Sequence, residues 1–255
     1  MTSAAAKIEK IETEGWASHP FVARLGRYVD LTDPDIKSLG RLIENEITVE
    51  KRRDLVVDGY EYRKLSFVAN GFGARYKLLR NGKRQILNVI LPGDVVGMPG
   101  SFLERAHYSV IALTEMKLSV CSTDAYVQLC YRRPKFGLAL SWLAVHEAAS
   151  YAERIIDTGR RTPIERLAHF LLELHSRLAI IGRAAPSSFD LPFSQEVMGD
   201  ALGLSVPHLN RMLAQLRTEG LVALISRRVT FPDLKTIQVR AHFQPLTLAR
   251  IPNLA

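Results

Sequence analysis

The sequence predicts an α+β chain in three parts: a double-stranded β-roll in the N-terminal half, one long helix, and a C-terminal winged helix-turn-helix. Three observations carry this. Residues 47 to about 129 hold short β-rich runs, LVV, LSFVA, ARYKLL, QILNVIL, HYSVIAL and KLSVC, separated by turn residues, a pattern that suits a small roll or barrel. Beyond Pro134 the strand pattern stops, and KFGLALSWLAVHEAASYAERIID takes up apolar spacings of three and four. Towards the C-terminus, SQEVMGDALGLSVPHLNRMLAQLRTEGLV divides into two short helices around a turn that contains Gly203. These shifts organise the chain as an arm at 1–30, a roll at 31–133, a helix with a hinge at 134–158, and a last domain with its tail at 159–255.

Each element has a local cause. The first eighteen or so residues mix charged and small side chains without a sustained apolar period, so they read as a weakly ordered arm or a short docking helix. LTDPDIKSLGRLIENE predicts a helix, with Asp33 as cap, Pro34 at the first helical position, and Ile36, Leu39, Leu42 and Ile43 at helical spacing. Within the roll, Asn81-Gly82 lies between two apolar-rich runs and suits a tight hairpin turn. Pro92-Gly93 and Pro99-Gly100 mark further turns.

On the long helix, Leu138, Trp142, Val145, Ala149, Ala152 and Ile156 fall on one narrow stripe, the pattern of a seam between two copies of a helix. A homodimer is the expected partner. Thr158-Gly159 interrupts the pattern, which places a hinge at 157–161, and a second helix restarts with Thr162 as cap and Pro163 at its first position. GRAAPSSFDLP reads as a loop.

In the two-helix element, Ser194 caps the first helix and Ser205 the second. Val206 and Pro207 then occupy the first turn of the second helix, where a missing N–H costs little, and the Ser205 hydroxyl is expected to accept from His208. At about 100° per residue, Leu209, Met212, Leu213 and Leu216 share one side of this helix. Val206, Pro207, Asn210, Arg211, Ala214 and Arg217 share the other.

That second side starts at the helix N-terminus, the part of such a helix that enters a DNA major groove. Arg211 can fork onto guanine O6 and N7, a contact that discriminates by about 1–3 kcal/mol, and Asn210 can reach an adenine edge or a phosphate. Gln195 and His208 are better placed for phosphates, and Val206 and Pro207 offer only apolar contact. GLVALISRRVTF reads as a β-wing with Arg227 and Arg228 at its tip, again facing phosphates.

Composition agrees with this reading. Of 255 residues, 47% are hydrophobic and 24% charged, with a net charge of +8; the chain can bury a core, and its basic balance favours an anionic partner. Neither a signal peptide nor a long apolar run is legible, which predicts a cytoplasmic protein without a membrane role. Cys121 and Cys130 are the only cysteines, too few for a disulfide scaffold or a four-thiolate site, and they read as small apolar side chains. No nucleophile elbow, P-loop, metalloprotease or dinucleotide motif is present, so no enzyme is expected.

At QEVMGDALGLSVPHLNRMLAQLRTEGLV, and again at GFGARYKLLRNGKRQI followed by LPGD and at GRRTPIERLAHFLLEL, the sequence resembles the Crp/Fnr family of bacterial transcription regulators, in a subgroup with no assigned effector. The likeness runs from about residue 30 to 238. It implies a cyclic-nucleotide-binding-type roll, a dimerisation helix, a homodimer on a pseudo-palindromic operator, and contact with RNA polymerase or its exclusion.

Two departures limit what the resemblance implies. Cyclic-AMP-responsive members hold the ribose with a glutamate and the cyclic phosphate with an arginine-serine pair. Here the corresponding stretch is GMPGSFLERAHYSV, with Met98 at the glutamate position and Tyr108 before Ser109 in place of arginine. A cyclic phosphate loses its charge-assisted partner, so the resemblance does not extend to that cofactor. The residues left to meet an effector are Gly97, Met98, Pro99, Gly100, Ser101, Tyr108 and Ser109. The cysteine cluster of the oxygen-sensing branch is absent, and His107 is the only histidine near the cassette; neither an iron–sulfur cluster nor haem is expected. In the recognition helix, Val206 and Pro207 replace the family's familiar arginine and glutamate, while Arg211 carries over. A regulator with an effector in the roll is the leading reading, and a constitutive regulator with a vestigial roll is the alternative.

Overall fold

Pro20 and Pro34 each sit in the first turn of a helix, where the N–H that proline lacks has no intrahelical partner. Helix α1 spans Pro20–Leu25 and α2 spans Asp33–Leu42. The cap of α2 is Thr32, one residue before the expected Asp33, because the Asp35 carboxylate reaches back to accept from the Thr32 N–H at 2.9 Å and its hydroxyl at 2.7 Å. The structure is a computed structural model that describes residues 8–9, 13–98 and 103–246.

The described residues of Met1–Tyr76 and Val89–Val145 form one compact unit, and those of Lys77–Asn88 and His146–Thr247 form the other. Strands β1 (Ile8–Glu9), β2 (Asn45–Val49), β3 (Asp54–Val56), β4 (Lys64–Asn70), β5 (Gly73–Leu78), β6 (Arg84–Ile90), β7 (Val95–Val96), β8 (Ser109–Ala112) and β9 (Met116–Ser122) follow the turn signals of the sequence. They make two sheets, ordered β1-β2-β9-β4-β7 and β3-β8-β5-β6.

Three readings are corrected here. Residues 16–29, assigned to the arm, are integral to the core: Trp16, Phe21 and Leu25 are buried with Leu65, Phe67 and Tyr126. His19 stacks on Trp16 with ring centroids 4.4 Å apart, its Nδ1 accepts from the Phe21 N–H at 3.1 Å, and burial draws its pKa down to about 4. Strand pattern ends before residue 129, because Ser122 caps a helix, α3 (Thr123–Arg132), by accepting from the Ala125 N–H. Finally, part of the loop GRAAPSSFDLP is a strand, β10 (Ser188–Asp190).

Asp35 is fully buried and pairs with Arg133 Nη1 at 2.7 Å and with Lys135, tying α2 to the start of the long helix α4 (Lys135–Gly159). Burial opposes its charge, but hydrogen bonds from Lys135 and Thr32 hold the carboxyl at about 2. Both cysteines behave as apolar groups: Cys121 is buried and Cys130 half-buried, and burial raises both thiols, Cys121 to about 12.

The second unit is built on the end of α4 and on α5 (Pro163–Ile180), with α6 (Gln195–Leu202), α7 (Val206–Thr218), β11 (Ala223–Ile225), β12 (Arg228–Thr230) and α8 (Leu234–Arg240). The turn expected to act as a hinge is short and pinned. Arg161 donates to Asp157 and to Glu153, each at 2.8 Å, and Arg154 pairs with Glu173 at 2.6 Å. Burial opposes the charge of Glu173, yet Arg154 and Arg177 hold its carboxyl below the usual range. His169 lies among these groups under the edge of Phe243, and burial lowers its pKa. No helix among the described residues is long and apolar enough to cross a membrane.

Candidate nucleic-acid interface

The two-helix element owes its shape to two glycines. Gly203 ends α6 with φ +66°, a left-handed conformation that a Cβ disfavours. Gly199 faces the turn so closely that a Cβ would lie 2.6 Å from the Leu204 carbonyl oxygen. Arg166 of α5 donates to the Leu202 carbonyl at 2.7 Å, satisfying an orphan acceptor at the end of α6. Neither Gly199 nor Arg166 was singled out by sequence reading; Gly199 carries a weak signal as a glycine inside a helical period, and Arg166 carries none.

Helix α7 begins at Val206 with Ser205 as N-cap and Pro207 in its first turn, as expected. The Ser205 side chain does not bond the His208 N–H, which corrects that detail of the cap; the Ser205 carbonyl instead accepts from Leu209 at 2.9 Å. Leu209 and Leu216 are fully buried, each worth about 1.5–3 kcal/mol of transfer free energy, and Met212 and Leu213 are half-buried. On the other face Pro207, Asn210, Arg211, Ala214 and Arg217 are exposed. Val206, His208 and Gln195 are half-buried at its border, and Ser205 is exposed.

The wing forms a three-stranded sheet ordered β10-β12-β11. Its tip is Ser226-Arg227, with φ +49° and +64°, the mirror-image turn that matches hairpin twist. The two predicted wing arginines differ. Arg227 stands at the exposed tip, whereas Arg228 opens β12 and reaches Ser188 Oγ at 3.0 Å and Asp190 at 3.4 Å. The predicted stripe on α4 is largely open in the single chain: Leu138, Val145 and Ile156 are 40%, 56% and 43% exposed, Ala152 is exposed, and Trp142 and Ala149 are half-buried.

Comparison with known proteins matches residues 46–133 to the cyclic nucleotide-binding domain and residues 165–239 to the Crp-like helix-turn-helix domain. The nitrogen fixation regulation protein FixK of Azorhizobium caulinodans is 30% identical over 172 residues, 67% of this chain and 68% of that protein. The chain belongs to the Crp/Fnr family. As such it is a DNA-binding transcription regulator. The transcriptional activator protein FnrL of Cereibacter sphaeroides is 29% identical over 65% of this chain and 68% of its own. The solved structure of FixK2 from Bradyrhizobium japonicum superimposes with a TM-score of 0.69 at 25% identity, over 76% of this chain and 95% of that one.

In this Crp/Fnr chain Met98, Tyr108 and Ser109 are engaged by hydrogen bonds inside the roll. Tyr108 is buried and donates its hydroxyl to the Met98 carbonyl at 3.0 Å, and buried Ser109 accepts from the Asp58 N–H at 3.0 Å. Arg75, 3% exposed and missed by sequence reading, also donates to the Met98 carbonyl, at 3.1 Å, and lies 4.5 Å over the Tyr108 ring. Its signal was a charge inside the run GARYKL. Gly97 sits in the left-handed region at φ +110°; Pro99, Gly100 and Ser101 lie outside the described residues. Among the described residues no group of three or more His, Cys, Asp or Glu is arranged to hold a metal.

Proposed function

We infer that the chain works in the cytoplasm as a homodimer on a pseudo-palindromic operator, joined through the α4 stripe, with one α7 in the major groove of each half-site. The observation that carries this is the face of α7: the side chains of Asn210, Arg211 and Arg217 are exposed and held by no partner among the described residues. Free donors at the start of a recognition helix are what base edges and phosphates require. An apolar seam as open as Leu138, Val145 and Ile156 supports the second copy. Bound at a promoter, the dimer acts by contacting RNA polymerase or excluding it. The reading includes no catalytic step, no metal, no haem and no cyclic nucleotide, since the Tyr108 and Ser109 hydroxyls are already used inside the roll.

The experiment is selection of an operator from random DNA by the purified chain, then gel shifts over a salt series with competitor DNA. A complex that survives competitor is expected. Loss of all retained complex at moderate salt would sink the reading. Val145→Glu, placed on the seam, should give a monomer by sedimentation and lose the operator complex; a variant that stays dimeric would reject the seam.

A further inference from the structure

Within the C-terminal unit the chain continues past the helix-turn-helix domain, which ends at residue 239. His242, with φ +48°, stops α8: its N–H donates to the Val239 carbonyl at 3.1 Å and that of Phe243 to the Gln238 carbonyl at 2.9 Å, the pairing that turns a chain back at a helix C-terminus. The turn sets Phe243 edge-on against His169 of α5, ring centroids 5.2 Å apart, with Leu246 half-buried beyond it. Phe243 and Leu246 share a cavity of about 30 Å³ with His146 and Glu153 of α4 and with His169 and Glu173 of α5, room for about two waters at most. His169 is 3% exposed. Its Nε2 lies 3.3 Å from Glu153 Oε2 and its Nδ1 3.7 Å from Asp157 Oδ2, and neither Nδ1 nor that Asp157 oxygen makes a hydrogen bond among the described residues.

We propose that residues 241–246 form a proton-gated strap, closed over His169 while its ring is neutral and lifted from α4 and α5 when the ring takes up a proton. Around the ring the charges already balance. Glu153 and Asp157 of α4 and Glu173 of α5 meet Arg154 of α4, Arg161 of the turn and Arg177 of α5, and His146 shares the cavity. The strap itself brings the uncharged Phe243 ring, while Arg240 and His242 act on Glu165. A proton on His169 therefore adds an uncompensated charge at a site with space for little water. Glu153 and Asp157 attract that charge, but burial outweighs them and lowers the pKa of the ring. By linkage, falling pH favours the form that binds the proton better, which is the one in which water reaches the ring and restores its ordinary 6.5. The strap is the part free to move. Among the described residues its hydrogen bonds run to α8 and none to α4 or α5, so it can lift while Arg154 and Glu173 keep those helices paired.

The test follows amide and histidine-ring hydrogen exchange in the full chain by mass spectrometry at pH 7.5 and 5.5, with amide rates corrected for the intrinsic effect of pH. Protection of the amides at 241–246 is expected to fall about three-fold or more at pH 5.5, and by no more than about ten-fold, the limit for a single ring that titrates at 6.5 when open. Amides of β4 should keep their protection, which separates lifting from unfolding. His169→Gln should hold the strap equally closed at both pH values. Phe243→Ala should raise the titration point of His169 towards 6.5 and speed exchange at its ring. Strap protection that stays level or rises on acidification of the native chain would overturn the proposal, as would a His169 titration unmoved in Phe243→Ala. An equal fall in His169→Gln would assign the effect to His146 or His242 and overturn it too. If His169→Gln fails to fold, the native series and Phe243→Ala still decide.

Discussion

The exposed face of α7 and the interior of the roll hold similar chemistry, guanidinium and hydroxyl donors beside apolar rings, yet their partners differ. In the roll, Arg75 and Tyr108 both donate to the Met98 carbonyl, and Ser109 receives the Asp58 N–H. On α7, Asn210, Arg211 and Arg217 point to solvent. A buried polar group must find its partner inside the fold, because leaving it unmade costs about 1–3 kcal/mol. An exposed one is kept by water until a ligand takes water's place. The lesson is that polar groups in the roll should govern stability, and those on α7 and the wing should govern binding.

The largest effect is expected on the buried side, under acid. The folded pKa of His19 is about 4 against an ordinary 6.5, so below 6.5 the unfolded chain takes up a proton that the folded chain refuses. Stability is full above about pH 6.5 and declines towards pH 4, by on the order of 3 kcal/mol at most. His169, also lowered, adds to the same trend. A melting temperature that stays level between pH 7 and 4.5 in the native chain, or an equal slope in His19→Gln, would contradict this.

Next comes Arg211→Ala, which should weaken operator binding by about 1–3 kcal/mol and relax preference at one base pair per half-site, with little change in melting. Equal losses on operator and random DNA would move Arg211 to the phosphates. Tyr108→Phe should reverse the pattern: about 1 kcal/mol of stability lost with its hydroxyl donor, and operator affinity unchanged. Smallest is the wing. Arg227→Ala should weaken binding on every sequence alike and lower the salt slope by about 1. Arg228→Ala should matter less to binding, since Ser188 and Asp190 already hold that side chain; a larger effect from Arg228 would reverse the order of the two.

How much was legible follows from locality. The α7 start could be read because a serine cap and a first-turn proline act within four residues, and the hairpin at Asn81-Gly82 for the same reason. The apolar and exposed faces of α7 came from period alone. What failed was whatever needed a partner far along the chain. Trp16 and Phe21 look like part of an arm until Phe67 is brought against them at ring separations of 5.7 and 4.6 Å. Strand β10 has a loop's composition and is a strand because β12 pairs with it. The exposure of Arg211 was legible from helical period; the partners of Arg75 were not, since an arginine in a strand declares nothing about which carbonyl or ring it will meet.

By itself, the sequence determined the order of roll, helix and winged helix-turn-helix, the stripe on α4 and the free face of α7, because hydrophobic period and cap chemistry are local. Tertiary structure alone decided that the roll's hydroxyls are used internally, that Arg228 is tethered while Arg227 stands exposed at the tip, and that Arg84 pairs the hairpin with Asp200 of α6. Each is a question of which donor meets which acceptor across 10 to more than 100 residues of chain, and only packing answers it.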